Sequence, residues 1–529
     1  MGDLFINGDS LTTADVFKAC NDSLIKVRIS DEVKNKIVES KNLLDSFIDE
    51  HRVIYGVNTG VGGFVNWLIP QEGAEELQNN LIEAVATNVG PYLEDTIVRA
   101  TILIRLNSLS RGTSAISLDN FNKLLLLFNS GIVPCIPAKG SLGASGDLGP
   151  LAYIALVATG KWRARYKGEL LPGDLALQKA GIEPMSLSFK EGLSLINGTS
   201  AMAAMAAILV ENTMNLVKLY DVISSLSFEA LNAKKKPFDP KVHKQKPHLG
   251  QQNTAINLWA ILKDSKMIAD EDAIEKKLHS LEVKVPTAAD MPIEDAYSIR
   301  CSPQILGPIK DSVRWIKQIV ENEMNSSNDN PLVLPEYKDV FHNGHFHGQY
   351  ISMAMDYLSI CLTSLSNLSD RRIDRFMDKN HSNGLPPFLC DQKSGLRLGL
   401  MGGQFMSTSL TAENRSLCLP LSTQTLTSTG DFQDIVSMGL IAARRATELF
   451  HNTVYIVAFE LLCAAQGAEI RGADQLSSST KELFKQVRLK VPYLDHDRSI
   501  TDYLESLALM IKSHDLVASL SKFSGNLLI

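Results

Sequence analysis

The stretch Gly140-Ser-Leu-Gly-Ala-Ser-Gly-Asp-Leu-Gly-Pro150 decides how the rest of the chain is read, and its centre is Ala144, Ser145 and Gly146. A small residue, a serine and a glycine in a glycine-rich turn let the Gly146 nitrogen approach the Ala144 carbonyl carbon, because glycine carries no Cβ to forbid the bend. Ring closure there, with the Ala144 carbonyl oxygen leaving as water and a second water lost at Ser145, leaves an exocyclic methylidene. That ring is an electrophile made from backbone alone. The plainer alternative is a glycine-rich surface turn, and what decides between the two lies elsewhere in the chain.

Outward from this loop, apolar spacing is mostly helical. Val33, Ile37, Leu43, Leu44 and Phe47 predict an amphipathic helix. Further helices are predicted over 75–85, 94–109 and 117–129, the last stopped by Asn129-Ser-Gly131. After the loop come a helix over 151–160 and an alternating segment, 162–171, that predicts a β-hairpin. Tyr55-Gly-Val-Asn-Thr-Gly-Val-Gly-Gly63 is too rich in glycine to be helical and is expected to be a mobile loop. From about residue 188 the character changes: 189–231, 305–325, 348–377 and 429–467 read as helices well beyond the usual length of about 11 residues. The stretch 435–465 is apolar nearly all round, so it must be covered on every side, and oligomerisation is expected to complete the cover. The expected division is a mixed domain over 1–187, carrying the Tyr55 loop and the Ala144–Gly146 loop, and a long-helix bundle with C-terminal helices over 188–529.

Composition narrows the function. The 529 residues, 45% of them apolar, can bury a large core. A net charge of −7 with interspersed signs argues against a nucleic-acid surface, which needs a basic face. The basic run Lys234-Lys-Lys236, with His243, Lys244, Lys246 and His248 beyond it, reads as a solvated loop. Seven scattered cysteines with no Cys-x-x-Cys pair fit reduced thiols in a cytoplasmic protein and imply no zinc site. The start lacks a basic segment followed by an apolar one, so no secretory signal is expected. The longest apolar run, 201–210, ends at Glu211, short of the roughly 20 residues that span a bilayer, so no membrane partner is expected.

Five further motifs accompany the opening loop: Tyr55-Gly-Val-Asn-Thr-Gly60, Leu195-Ile-Asn-Gly-Thr-Ser200, Asp295-Ala-Tyr-Ser-Ile-Arg-Cys-Ser-Pro303, Asn325-Ser-Ser-Asn-Asp-Asn-Pro331 with His342-Asn-Gly-His-Phe-His-Gly348, and Gly430-Asp-Phe-Gln-Asp-Ile-Val-Ser437. With these motifs in this order the chain resembles, over nearly its whole length, the aromatic amino acid ammonia-lyases and 2,3-aminomutases. That resemblance implies a mainly α, long-helix bundle of the histidine/phenylalanine ammonia-lyase type with a smaller mixed N-terminal domain. It implies a 4-methylideneimidazol-5-one (MIO) group formed from Ala144, Ser145 and Gly146, no metal, no nucleotide, and a homotetramer with shared active sites. Eliminating ammonia from an amino acid removes a barely acidic β-proton and expels a poor leaving group; an electrophile that captures the amine improves the leaving group.

The resemblance also assigns roles. Tyr55 becomes the general base, which requires a stabilised phenolate, and Gly62 in the same loop becomes a substrate contact. Asn197, by itself a helix cap, would hydrogen-bond the ring. Arg300 would grip the substrate carboxylate as a bidentate fork, with Tyr297 near the amine. Asn330 and Phe346 match the pocket asparagine and the aromatic residue beside the ring, and Gln433 a pocket position that is acidic in histidine-specific lyases. His342, His345 and His347 invite a metal reading, which is rejected because no carboxylate or cysteine stands at ligand spacing.

Substrate is written into Asn80-Leu-Ile-Glu-Ala-Val-Ala86. By resemblance, Ala84 falls where tyrosine-specific members carry a histidine, and Val85 where histidine-specific members carry theirs. Two apolar residues leave an imidazole or phenol unpartnered, at about 1–3 kcal/mol, so phenylalanine is the expected substrate. The stretches 84–90, 344–355 and 371–403 look most like bacterial phenylalanine 2,3-aminomutases that feed β-phenylalanine into antibiotic assembly. Two alternatives stand beside that reading: an ammonia-lyase acting on phenylalanine or tyrosine, and a non-catalytic helical scaffold. A serine-hydrolase elbow fails because Asp147 stands where Gly-x-Ser-x-Gly needs its last glycine, and a dinucleotide loop fails because Val65 replaces the third glycine.

Overall fold

The computed structural model describes residues 2–281, 285–289 and 292–529. The chain is mostly helical and gathers into two compact units, each drawn from distant segments. The first comprises Met1–Glu211, Ile316–Asp356 and Pro420–Thr447; the second comprises Asn212–Trp315, Tyr357–Leu419 and Glu448–Ile529. The division falls inside four long helices, Ser200–Ala230, Ser302–Met324, Gln349–Met377 and Gly439–Arg471.

In the first unit, the Ser30 side chain caps the helix Asp31–Asp49, which buries Val33, Ile37, Leu44 and Phe47 as their spacing predicts. Helices Ala74–Val85, Asp95–Leu109, Leu118–Ser130 and Leu148–Ala158 stand within a few residues of their predicted places. The third of them ends at Gly131 in the left-handed region, φ +81°. The predicted hairpin is Arg163–Tyr166 against Glu169–Pro172, joined through Lys167 and Gly168, both at positive φ. Other strands are two to four residues long.

Two predicted helices need correction. The run 189–231 is two helices, Glu191–Ile196 and Ser200–Ala230, because Asn197 leaves the helical region at ψ 115° and Gly198 follows at φ +152°. The run 429–467 becomes helical only at Gly439, since Thr429, Gly430, Asp431 and Met438 all take positive φ. Residues 429–438 are therefore loop.

Cover for the apolar helix Gly439–Arg471 is supplied by the chain itself: its most apolar window is 83% buried. The helix therefore gives no independent argument for a second copy. It and the Glu191–Ala230 region are long and apolar enough to cross a bilayer, yet their apolar surface is core.

The second unit adds helices Leu249–Ile261, Met401–Leu417, Ser478–Arg488, Thr501–Lys512 and His514–Ser524. Its interior contains a fully buried ion pair, Arg372 with Glu460 at 3.2 Å.

Candidate active site

The Tyr55 loop is fixed from beneath. Ile54 and Val57, on either side of Tyr55-Gly56, are buried with Leu44, Phe47, Ile48, Ala115 and Val333. Polar residues of the motif then fold the turn: Ile54 N donates to Asn58 Oδ1 at 2.7 Å, and Gly56 N donates to Thr59 Oγ1 at 3.0 Å. Tyr55 N donates to His342 Nε2 at 3.1 Å, which ties the loop to the His342–Gly348 motif. The Tyr55 hydroxyl accepts from Gly62 N at 3.0 Å. Burial pushes its pKa above the usual phenol range, and the Gly62 N–H, which favours the phenolate, pulls partly back.

The Ala144–Gly146 turn is gripped at three backbone atoms. Ala144 N donates to Gln433 Oε1 at 2.8 Å, Gly348 N donates to Ala144 O at 3.1 Å, and Ser141 Oγ donates to Gly146 O at 2.7 Å. Gly146 takes φ +84°, a region glycine alone enters freely. Its underside rests on Met202: a Cβ at Gly146 would lie 3.1 Å from Met202 Cε, and one at Gly348 or Gly439 would lie 2.5 Å from its Sδ. Next in sequence, buried Asp147 caps the helix Ser200–Ala230, accepting from Ala201 N at 2.7 Å and Met202 N at 2.9 Å. Burial raises the Asp147 pKa to about 8 against those two hydrogen bonds.

The helix break at 197–199 turns Asn197 toward the same place. Its Oδ1 accepts from Asn330 N at 2.8 Å, and Asn330 Oδ1 accepts from Asn343 N at 2.7 Å. Behind these loops lies a buried charged cluster. Arg105 donates from Nε to Ser194 O at 3.0 Å and from Nη1 to Asn328 Oδ1 at 3.2 Å. Lys190 Nζ reaches Asp329 Oδ2 at 2.7 Å, Ser114 O at 2.9 Å and Ser194 Oγ at 3.1 Å. Burial draws the Arg105 pKa down to about 10 and lowers that of Lys190.

These elements enclose a cavity of about 740 Å³ lined by first-unit residues, a size suited to a small ligand. Of the residues singled out in the sequence, Tyr55, Gly62, Val85, Ala144, Ser145, Asn197, Asn330, His342, Phe346, His347 and Gln433 line it. Gly146 is buried just outside the lining, and Ala84 is solvent-exposed and also outside it. Tyr297 and Arg300 belong to the second unit, on the one-turn helix Tyr297–Arg300. Tyr297 is 70% exposed, and the Arg300 guanidinium lies 5.2 Å from its ring centre and 2.9 Å from Glu294 Oε2.

Sequence reasoning missed Leu81 and Leu193 on the cavity wall and the role of His342 under Tyr55. Leu81 had a signal, standing one helical turn before Val85. His342 had none, because its partner is 287 positions away.

Comparison with known proteins adds to this geometry. A sequence model of a family described as aromatic amino acid lyase matches residues 11–489. The solved structure of the Pantoea agglomerans phenylalanine aminomutase superposes with a TM-score of 0.94 at 54% identity, covering 98% of this chain and 100% of that one. A tyrosine ammonia-lyase of Cupriavidus metallidurans is 40% identical over 92% of both chains. A histidine ammonia-lyase of Natranaerobius thermophilus is 37% identical over 99% of this chain and all of its own.

Proposed function

We propose that this chain, which belongs to the aromatic amino acid lyase family, is a phenylalanine 2,3-aminomutase that converts L-phenylalanine to β-phenylalanine through cinnamate, with ammonia-lyase side activity. The observation that carries this reading is one cavity lined both by Tyr55 and Ser145 and by the apolar side chains of Leu81, Val85 and Leu193. An apolar wall suits a phenyl ring and offers no partner to an imidazole or a phenol. The 54% identity to a phenylalanine aminomutase supports the same substrate.

The Ala144-Ser145-Gly146 turn fits an MIO group: Ala144 N and the Gly146 carbonyl are held by fixed partners, Gly348 N–H polarises the Ala144 carbonyl whose oxygen ring closure would expel as water, Gly146 has the left-handed backbone, and Ser145 faces the cavity. Once formed, such a ring supplies an electrophile for the substrate amine. Tyr55 takes the β-proton at its phenol oxygen, with Gly62 N–H stabilising the phenolate. Asn197, oriented by Asn330 N on its Oδ1, offers its amide NH₂ to the ring. Phe346 and Asn330 flank the substrate, and Gln433 holds Ala144 in place. Arg300 and Tyr297 do not line this cavity; in the shared site that the family resemblance implies, Arg300 would bind the carboxylate as a fork and Tyr297 would stand near the amine. Ammonia added back at the β-carbon of cinnamate gives β-phenylalanine; ammonia lost to solvent leaves cinnamate.

A second reading, an ammonia-lyase without mutase activity, is favoured by the relatives named tyrosine and histidine ammonia-lyase. Incubating the purified protein with L-phenylalanine and separating products over time tests both. β-Phenylalanine together with cinnamate supports the mutase; cinnamate alone supports the lyase; neither product overturns both. We further propose a homotetramer with shared active sites, which light scattering would record as about four times the 58.1-kDa chain mass.

A further inference from the structure

We propose that Arg372 is a positioning residue for substrate binding: through Ser298 and Ser302 it fixes the turn that carries Tyr297 and Arg300, and so sets where the substrate carboxylate is gripped. This rests on the reading of Arg300 given above.

The helix Tyr297–Arg300 is a single turn. One turn fixes several backbone dihedrals for very few hydrogen bonds, so it does not hold its own shape. Arg300 is no better anchored by its side chain, whose partners are the exposed Glu294, the exposed Tyr297 ring and, at 3.3 Å from Nε, the Asp295 carbonyl. Its position therefore depends on what holds the backbone around it.

On the N-terminal side, Asp295 is buried and its Oδ2 accepts from Lys234 N at 2.7 Å. On the C-terminal side the anchor is Arg372, fully buried on the helix Gln349–Met377. Its Nε donates to Ser298 O at 2.8 Å and its Nη2 to Ser302 Oγ at 2.7 Å. Those two acceptors straddle Ile299, Arg300 and Cys301, across the junction with the helix Ser302–Met324. Ser302 Oγ in turn donates to Ile299 O at 2.7 Å.

The guanidinium is itself immobilised. Nη1 donates to Ser224 Oγ at 2.6 Å and to Glu460 Oε1 at 3.2 Å. Glu460 also accepts from Ser227 Oγ at 2.8 Å and from Tyr220 OH at 2.9 Å. The cation lies 4.8 Å from the Phe228 ring centre and 5.2 Å from that of Tyr220. A planar fork with donors in three directions makes this arrangement possible, and an ammonium cannot reproduce it. For stability alone, a buried pair is a poor choice, since apolar residues of similar volume commonly serve as well. What apolar residues cannot do is hold a carbonyl and a hydroxyl on either side of Arg300.

The test compares two competitive inhibitors, cinnamate and cinnamyl alcohol, which differ by the carboxylate. Arg300→Met should weaken cinnamate at least about tenfold and leave the alcohol unchanged. Ser302→Ala should weaken cinnamate about threefold and Arg372→Lys about tenfold, again sparing the alcohol, with the KM for phenylalanine rising by the same factors and kcat moving less than about twofold. The ultraviolet difference band of the ring should persist in all three. Equal weakening of both inhibitors, or of neither, in Ser302→Ala and Arg372→Lys would overturn the positioning role while leaving Arg300 intact. An Arg300→Met protein that still prefers cinnamate would remove the carboxylate grip and this proposal together. If Arg372→Lys fails to fold, Ser302→Ala decides alone.

Discussion

Two buried clusters of charge hold two different kinds of structure. In the first unit, Arg105, Lys190 and Asp147 direct most of their hydrogen bonds to backbone: the carbonyls of Ser194 and Ser114 and the amides of Ala201 and Met202. In the second, Arg372 and Glu460 face mainly hydroxyls, those of Ser224, Ser302, Ser227 and Tyr220. Helices satisfy their own interior backbone, so charges between them meet side chains; loops and helix ends leave amides and carbonyls that something must hold. The fit also differs. Asp147 Oδ1 and Asp329 Oδ1 are buried without a partner, whereas both carboxylate oxygens of Glu460 are hydrogen-bonded. Of these two clusters the less completely satisfied is the one beside the cavity, although elsewhere in the second unit Asp221 Oδ1 and Glu229 Oε2 are also buried without a partner.

If catalysis belongs to those loops, Ser145→Ala should reduce turnover below about one per cent of wild type and abolish the ring's ultraviolet band, with an unchanged circular dichroism spectrum. Appreciable residual cinnamate formation would move the chemistry elsewhere. Tyr55→Phe should lower kcat about 10²- to 10⁴-fold with the band retained, a loss typical of a removed general base; a smaller drop would demote Tyr55 to a contact. Arg105→Met should cost about 3–5 kcal/mol, read from the denaturant midpoint, because the buried Ser194 carbonyl and Asn328 Oδ1 lose donors and Asp329 loses one of two nearby cations. A near-neutral outcome would mean that the loops do not depend on the cluster behind them.

Selectivity gives a finer probe. Val85→His should lower kcat/KM for phenylalanine about 10- to 100-fold, since an imidazole on that wall finds no partner. The same change at Ala84, which is exposed, should do less; equal effects would bring Ala84 into the site. The smallest effect is expected in the second unit. Burial raises the pKa of Glu229 to about 7. A raised folded-state value means that the native state binds the proton more tightly than the unfolded chain. Its contribution is therefore full below about 4.5 and is lost as pH climbs through about 7. Glu229→Gln keeps an acceptor for Ser477 N, now at 2.7 Å, and removes the ionisation. The variant should gain on the order of 1 kcal/mol relative to wild type at pH 8 compared with pH 5. Identical differences at the two pH values would contradict this.

Much of this was legible in the chain. The helix Asp31–Asp49 and the hairpin 163–172 follow from apolar period and turn chemistry, which are local signals. Tyr55, Ser145, Asn197 and Gln433 stood out through the resemblance of their short motifs to a known family; by itself Asn197 reads as a helix cap. What period could not reveal was where an apolar run is interrupted. Residues 429–438 carry Phe432, Ile435, Val436 and Met438 and look helical by composition, yet four positive-φ residues make them loop. Nor does any local pattern announce that His342 accepts from Tyr55 N, or that Arg372 reaches Ser298, because partners 287 and 74 positions apart meet only through tertiary packing.

Gly146, Gly348 and Gly439 come from three remote parts of the chain and share one neighbour, the buried thioether of Met202. An alanine at Gly348 or Gly439 would crowd the same sulfur at 2.5 Å, and one at Gly146 would meet the adjoining methyl at 3.1 Å, so mutational tolerance at these sites is not independent. Lineages that shorten residue 202 first relieve the closest contact at Gly348 and Gly439, whereas Gly146 stays tied to glycine by its φ of +84°. Lineages that keep methionine there are held to glycine at each, and the order in which substitutions arrive becomes part of what the sequence can become.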